Sequence, residues 1–294
     1  MTTLKVQLCA ICSDSMVNKI SNWSFYCVKC NYWSSDLPVD IVNEHDEVFS
    51  LTSDNLKPIG FLDAVRIENF DLILDHINKL SNNKSSKILD VGCATGLFIE
   101  MANARGHDVW GIEPNPKMAS ISKSKGLKVK SGYFPDAILG EGEFDFIVFN
   151  DVFEHIPDLS LILNGVSGKL KRGGVLVINL PNSDGFLFSL GKYLYKFNLE
   201  TLWDRLWQKM FHTPHLHFFN SSSLDKFLLS FGFYVRKKPI NLSVFSTSGL
   251  WGRVSADKNS YFLKNIVIFC AIVVIRPVLL FFPKDSIVNF YSQK

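Results

Sequence analysis

The chain has 294 residues, of which 47% are hydrophobic and 20% charged, and its formal net charge is +3. That length predicts one large domain plus a small appendage. The composition excludes intrinsic disorder, and so mild a positive balance lacks the basic footprint of a nucleic-acid binder. Phe is over-used, at 25 residues, and many of these fall after position 186, which predicts a greasy C-terminal third. Met1–Ala10 carries one Lys and no long apolar run, so a cytoplasmic location is expected.

The first feature in chain order is a set of cysteines. Cys9 and Cys12 form one C-x-x-C pair and Cys27 and Cys30 a second, with fourteen residues between the pairs. In a reducing compartment such pairs more often mean metal than disulfide. The gap is just under the ~15–20 residues of a zinc ribbon. Each pair can turn back and present two thiolates to one tetrahedral ion, with room for a short hairpin between them. Four cysteines leave no open coordination position, so a structural Zn²⁺ is expected and no chemistry. A redox or disulfide pair is the competing reading. Trp23, Phe25, Tyr26, Tyr32 and Trp33 flank the second pair and are expected to form the small core of a module over residues 1–35. Cys93 and Cys270 fall outside the pattern, as expected of packing residues.

Residues 36–84 read as a linker, with Pro38, Pro58 and Gly60, followed by a helix over 61–80. Its apolar residues recur at 62, 65, 70, 73, 74 and 77, near helical spacing. Beyond the polar stretch 81–87, short apolar runs alternate with helical patterns. Strands are predicted at Ile88–Val91, Val109–Ile112, Leu127–Val129, Phe144–Phe149 and Val175–Leu180. Helices are predicted at Leu97–Arg105, about 115–124 and about 158–170. Such alternation predicts a doubly wound α/β fold with a mostly parallel sheet covered on both faces.

The segment ILDVGCATG at 88–96 passes from strand to helix. Gly92 and Gly96 give small, flexible positions where a ligand can press against backbone and the helix N-terminus. Glu113 ends the next strand, where a carboxylate can accept both hydroxyls of a ribose. The glycine spacing is not the G-x-G-x-x-G of dinucleotide binders, which opposes a nicotinamide-dependent oxidoreductase.

With these motifs, in this order, the chain resembles the class I S-adenosylmethionine-dependent methyltransferases of the type 12/23 group over residues 85–294. FDFIVFND at 144–151, EHIPD at 154–158, KRGGVLVINLPN at 171–182 and HTPHLHFF at 212–219 carry the rest of the likeness. The resemblance implies a seven-stranded Rossmann-like sheet and S-adenosyl-L-methionine as methyl donor. It implies Asp90, Gly92, Cys93, Gly96, Glu113, Asn150 and Asp151 around that cofactor. Ala94 departs from the usual middle glycine, and GYFPDAI lacks the acid that commonly follows its glycine. Ser222 and Asp225 have capping-box spacing for the helix before the sixth strand, and Gly232 ends it.

Methyl transfer to a hydroxyl needs a base for the acceptor proton. Asp151, Glu154 and His155 follow the fourth strand at the carboxyl edge as candidate bases, and His217 matches the late histidine motif; Asp151, His155 and His217 are the catalytic candidates taken forward. A histidine satisfied by backbone hydrogen bonds is an equal reading for His217, and for Glu154-His155 a loop-ordering role competes. His212 and His215 are weaker candidates. Within the apolar insertion 186–211, Leu199, Leu202, Trp203, Leu206 and Met210 share one helical face; a lid over the acceptor pocket or extra core are the alternatives. The stretch 261–282 is too interrupted for a simple membrane span. It is expected to pack on the domain, on a second copy of the chain, or shallowly in a membrane interface. The tail KDSIVNFYSQK is expected to return to the sheet as its last, antiparallel strand. The expected acceptor is small, sugar-containing or lipid-linked, methylated on oxygen. A degenerate, non-catalytic binding protein is the rival reading.

Overall fold

The computed structural model describes residues 7–39, 62–242 and 284–293. The apolar stretch 261–282, Cys270 and most of the 36–60 linker lie outside the described residues. Among the described residues no helix is long and apolar enough to cross a membrane.

In chain order the elements are β1 (Val17–Asn18), β2 (Ser24–Cys27), β3 (Tyr32–Ser35), α1 (Leu62–Leu80), β4 (Lys87–Val91), α2 (Leu97–Ala104), β5 (Asp108–Glu113), α3 (Pro116–Ser124), β6 (Lys128–Ser131), β7 (Phe144–Asn150), α4 (Leu159–Lys169), β8 (Leu170–Pro181), α5 (Phe186–Tyr195), α6 (Thr201–Leu206), β9 (His217–Phe218), α7 (Ser221–Leu229), β10 (Phe233–Leu242) and β11 (Ser286–Gln293). Seven strands form one sheet in the order β10-β11-β8-β7-β4-β5-β6. Its central strands pair in parallel, and β11 is antiparallel to both neighbours. The expected doubly wound fold is therefore present, with the C-terminal tail as its antiparallel strand.

Burial explains why these strands are central. Ile88, Leu89, Ile147, Val148, Leu176 and Val177 are all fully buried, the near-continuous apolar pattern of strands covered on both faces. Helices α1 and α2 cover one face with Ile73, Leu74, Ile77 and Ile99. Helices α4 and α7 cover the other with Leu163, Val166, Leu224 and Phe227. From β4 the chain steps outward to β5 and β6, then crosses to β7 and β8 on the other side. The carboxyl ends of β4 and β7 thus flank the switch point, where open α/β sheets bind ligands.

Local signals fix the helix ends. Asn115 caps α3 by accepting from the backbone N–H groups of Lys117 and Met118, and Pro116 occupies the first turn. Asp158 caps α4 by accepting from Leu161 N at 2.9 Å. For α7 the capping box is Asn220 with Ser223, not Ser222 with Asp225. Asp225 instead accepts from the Tyr291 hydroxyl at 2.6 Å, so its carboxylate ties α7 to β11.

The cysteine module does not stand apart. β1, β2 and β3 form an antiparallel sheet whose fourth strand is β9, from the far end of the chain. Trp33 pairs with Phe218 and Ser34 with His217. The aromatics expected to fill a private core are divided between two larger ones. Phe25 and Tyr32 join the core under the main sheet. Trp23 and Trp33 join Phe188, Trp203, Trp207 and Phe218. In that second cluster Trp33 and Trp203 lie 5.6 Å apart, and Trp207 and Phe218 4.7 Å apart, both edge-on, a favoured geometry. The insertion helices α5 and α6 therefore pack on the module. The expected single apolar face breaks up because α6 is short: Trp203 is fully buried, whereas Leu199 and Met210 are exposed.

The turn after β4 has three left-handed residues, Gly92 (φ 76), Ala94 (φ 48) and Gly96 (φ 88). A Cβ on Gly92 would lie 2.6 Å from Val152 Cγ2, so this position requires glycine. Ala94 carries its methyl group in a conformation that costs L-residues roughly 1–2 kcal/mol. Ala94→Gly is therefore expected to stabilise the protein by about 0.5–1 kcal/mol after the entropy of glycine is subtracted. Gly92→Ala should destabilise it, and urea unfolding of the two variants measures both signs.

Candidate functional site

The four cysteine sulfurs all lie within 4.8 Å of one another. Cys12 Sγ and Cys27 Sγ are 3.6 Å apart, near the ~3.8 Å edge of a tetrahedron with ~2.3 Å zinc–sulfur bonds. The cysteines are free rather than disulfide-bonded, and the Ile11 N–H points at Cys9 Sγ at 3.4 Å, as a donor that would support a thiolate. With four sulfurs gathered this way, the set fits a closed structural Zn²⁺ site.

A cleft of about 670 Å³ opens at the carboxyl ends of β4, β5 and β7. Asp90, Gly92, Cys93, Ala94, Glu113, Asn150 and Asp151 line it. Among the expected cofactor residues only Gly96 is missing from the wall; it sits beneath, as the first residue before α2, against Leu127. Glu113 is buried and gathers the loops: Oε2 accepts from Ala94 N and Oε1 from Asn115 N, each at 2.8 Å. Ala94 thus places its N–H on this carboxylate, and its methyl group does not prevent the turn from closing. Cys93 lies under Gly111, where any Cβ would come within 2.6 Å of its sulfur.

Three carboxyl groups share this half of the cleft. Burial raises Asp90 to about 7, assisted by the negative Glu113 and opposed by the Asn150 amide at 3.3 Å. Protein packed around Asp151 raises its carboxyl to about 6 against the pull of Arg66, although solvent reaching it through the cleft weakens that push. Asp151 holds a left-handed backbone (φ 53), fixed by its N–H donating to Asn179 O at 3.0 Å. Asn150 Oδ1 is buried without a partner. A cation with hydroxyl or amino donors would satisfy this half: it would draw the carboxyls to their ionised forms and supply Asn150 with a proton to accept.

The other half is built by Glu154, His155 and His215, with Gln208, Thr213, Ile156, Pro157 and Ile162 nearby in the wall. Each of the first three offers one ligand atom, all within 4.8 Å of one another. Glu154 is 1% exposed, and among the described residues neither carboxyl oxygen has a hydrogen-bond partner. Burial, then the neighbouring Asp151, pushes its carboxyl well above the usual range. His155 donates from Nδ1 to Pro214 O at 3.1 Å, which leaves Nε2 as the lone-pair nitrogen, 4.0 Å from Glu154 Oε1. Burial lowers His155 below the ordinary histidine value and lowers His215 much further. His215 accepts from the Gln208 amide through Nε2 at 2.9 Å, and its Nε2 lies 3.9 Å from Glu154 Oε1.

His217 is a correction to the expected set of bases. It does not line the cleft. Its Nε2 donates to Ile156 O at 3.0 Å, and its Nδ1 accepts from the Tyr32 hydroxyl at 2.5 Å. Both nitrogens are in use, and burial lowers the ring to about 4, so it stays neutral and holds the framework. His215, the weaker candidate, is the late histidine that reaches the cleft. The H-x-H spacing in HLHFF marked the pair but not which member faces inward. Glu154 was legible as a candidate base after the fourth strand, but its isolation was not, because that comes from packing.

A family model described as a methyltransferase domain matches residues 65–238. A ubiquinone biosynthesis O-methyltransferase of Xylella fastidiosa (strain M23) is 32% identical over 133 residues, covering 43% of this chain and 51% of that protein. One from Marinobacter nauticus is 28% identical over 164 residues, covering 52% of this chain and 66% of that protein. The chain thus spans about half to two thirds of the length of these relatives. Among solved structures, the magnesium protoporphyrin IX methyltransferase of Synechocystis PCC 6803 with bound SAH has a TM-score of 0.53 at 14% identity, covering 85% of this chain and 96% of that one. The geranyl diphosphate C-methyltransferase of Streptomyces coelicolor A3(2) has a TM-score of 0.50 at 11% identity, covering 79% and 81%. At these identities the structural likeness speaks to fold alone. The family match extends over more than half of the sequence, and the chain belongs to this methyltransferase-domain family.

Proposed function

We propose that the protein is an S-adenosylmethionine-dependent methyltransferase that methylates a hydroxyl of a small acceptor with an apolar portion, and that its cysteine module carries one structural Zn²⁺. The observation that carries the cofactor reading is Glu113, buried at the end of β5 with both oxygens gathered by backbone N–H groups beside the glycine turn. That arrangement suits a ribose diol, and the acidic surroundings of Asp90 and Asp151 suit a cationic donor. When bound, the donor supplies an electrophilic methyl group on a positively charged sulfur.

The chain's own task is then to hold the acceptor oxygen in line and take its proton. Fixing two reactants at near-attack distance can supply roughly 7–11 kcal/mol. His155 lines the cleft, its Nδ1 is taken by Pro214 O, and burial favours the neutral ring; in this reading its Nε2 accepts the hydroxyl proton as the new carbon–oxygen bond forms. Glu154, pushed by burial toward its protonated form, is placed to donate a hydrogen bond to a second acceptor oxygen. Ile156, Pro157 and Ile162 give that end an apolar wall, which favours a ring or lipid-like acceptor over a bare sugar. Relatives named as ubiquinone biosynthesis O-methyltransferases support oxygen as the methylated atom. The protein is read as cytoplasmic; membrane association through 261–282 and pairing with a second copy rest on residues outside the described structure.

Calorimetric titration with S-adenosylmethionine and its demethylated product tests the cofactor reading. Saturable binding is expected, weakened about 10–100-fold by Glu113→Ala through loss of charge-assisted hydrogen bonds. No binding by folded wild-type protein would leave the degenerate binding protein as the better account. Elemental analysis should find about one zinc per chain, reduced in Cys27→Ser; folded protein without metal would rule the site out. With an acceptor found by screening phenols and lipid-linked alcohols, His155→Gln should cut turnover about 10²–10⁴-fold. Wild-type turnover should be level from pH 7 to 8 and decline only below 6.5. The free ring titrates lower than an ordinary histidine, and protonation removes its lone pair.

A further inference from the structure

A run of buried hydrogen bonds leads from the cysteine module to the loop after β7, and nothing in the cofactor half of the cleft uses it. Tyr32 lies two residues beyond Cys30 and is 1% exposed. Its hydroxyl donates to His217 Nδ1, and His217 Nε2 donates to the carbonyl of Ile156, the residue after His155. Three more bonds run alongside. Ser35 Oγ donates to His215 O at 2.8 Å, Ser35 N to Leu216 O at 3.0 Å, and Leu216 N to Glu154 O at 2.8 Å. Strand β3 therefore sets the backbone of 215–217, and that segment sets 154–156. Glu154, His155 and His215 are all held from behind in this way.

The cofactor half is closed differently. Ala94 and Asn115 bond to Glu113, Asn150 bonds to Asp90, and Asp151 bonds to Asn179. Each of these contacts lies within the seven-stranded sheet and its loops. The module contributes none of them.

We propose that the metal-loaded cysteine module is a positioning device for the acceptor half of the cleft, acting through Tyr32 and His217, and that losing the metal loosens that half while the cofactor half stays intact. Tyr32 and His217 are positioning residues: their reach to the acceptor is through the 154–156 backbone. The proposal rests on the reading that Glu154, His155 and His215 face the acceptor. Its physical basis is that a site is only as precise as the shell that holds it, and an error of ~1 Å can cost ~10²-fold in rate. Thiolate–metal bonds fix the turns at 9–12 and 27–30 that anchor the hairpin of β2 and β3, and without them that hairpin becomes a unit of local opening.

The test compares zinc-loaded wild-type protein, the same protein stripped by a chelator under reducing conditions, and zinc-loaded Tyr32→Phe, with the demethylated cofactor product as probe. Product affinity within about twofold in all three is expected. Amide exchange over 152–158 and 213–219 should rise about tenfold in the stripped protein and in Tyr32→Phe, with 88–96 and 110–116 unchanged. The ring ¹⁵N shifts of His155 and His215 should move in Tyr32→Phe, which keeps the packing and loses only the hydroxyl. Returning zinc should restore the stripped protein. Unchanged exchange at both segments would overturn the proposal. So would a matching rise over 88–96 with loss of product binding, since the module would then be a general scaffold. Failure of zinc-loaded wild-type protein to bind the product would instead sink the methyl-transfer reading, and the exchange data alone would still decide the coupling.

Discussion

Backbone N–H and C=O groups that leave water must find partners, and the segment around His217 meets that demand through a strand almost two hundred residues earlier. β9 belongs to the small sheet, where β3 pairs with it, and its segment meets the main sheet at a bridge between Phe219 and Asn182, just beyond β8. The consequences extend from there. The aromatic cluster of Trp23, Trp33, Phe188, Trp203, Trp207 and Phe218 can form because β3 and β9 share a sheet on which the insertion helices settle. Leu216 reaches Glu154 O from the same segment. The cysteine module, which looks like an appendage in the sequence, thus backs the 215–218 segment behind one side of the cleft.

The two halves of the cleft differ in how they treat charge. The cofactor half collects carboxyl groups: burial pushes Asp90 and Asp151 above the usual carboxylate range, and Glu113 adds to the push on Asp90. The acceptor half is arranged for neutrality. His155, His215 and His217 are all pushed toward their uncharged forms, and Glu154 toward its protonated one. On the proposed reading, a neutral hydroxyl entering that half would meet a lone pair and a proton donor with little charge to rearrange. Preorganisation of this kind lowers the work of reorganising the site as the reaction proceeds.

The main sheet was legible because its signal is local. Runs such as Ile88–Val91 and Phe144–Phe149 are apolar for as long as a buried parallel strand is, and turn residues bound them. The glycine turn and Glu113 were legible because strand-turn-helix and strand-acid patterns are short. What stayed hidden depends on distant pairings. Neither Tyr32 nor His217 announces its partner, and β3 and β9 are each too short for periodicity to identify. The capping box illustrates a local ambiguity decided by tertiary structure: Asn220-Ser223 and Ser222-Asp225 have the same spacing, and the Tyr291 hydroxyl claims Asp225. The insertion misled for a related reason. Apolar spacing at 199–210 assumed one continuous helix, whereas α6 ends at Leu206 and Trp207 turns into the aromatic cluster.

Glu154 raises the sharpest energetic question. A buried polar group with no partner costs roughly 1–3 kcal/mol, and neither carboxyl oxygen of Glu154 has one. Protonation reduces that cost without removing it, because the acidic hydrogen and the second oxygen still need partners. His155 and His215 stand at 4.0 and 3.9 Å, too far for direct bonds; His215 Nε2 is taken by the Gln208 amide, so a small polar group in this space would bridge Glu154 and His155. A residue needed only to order its loop would be expected to bond within that loop. Glu154 instead bonds out of the loop through its backbone carbonyl, which accepts from Leu216. On the proposed reading, burial on that scale with polar atoms unbonded among the described residues fits an acceptor group as their partner.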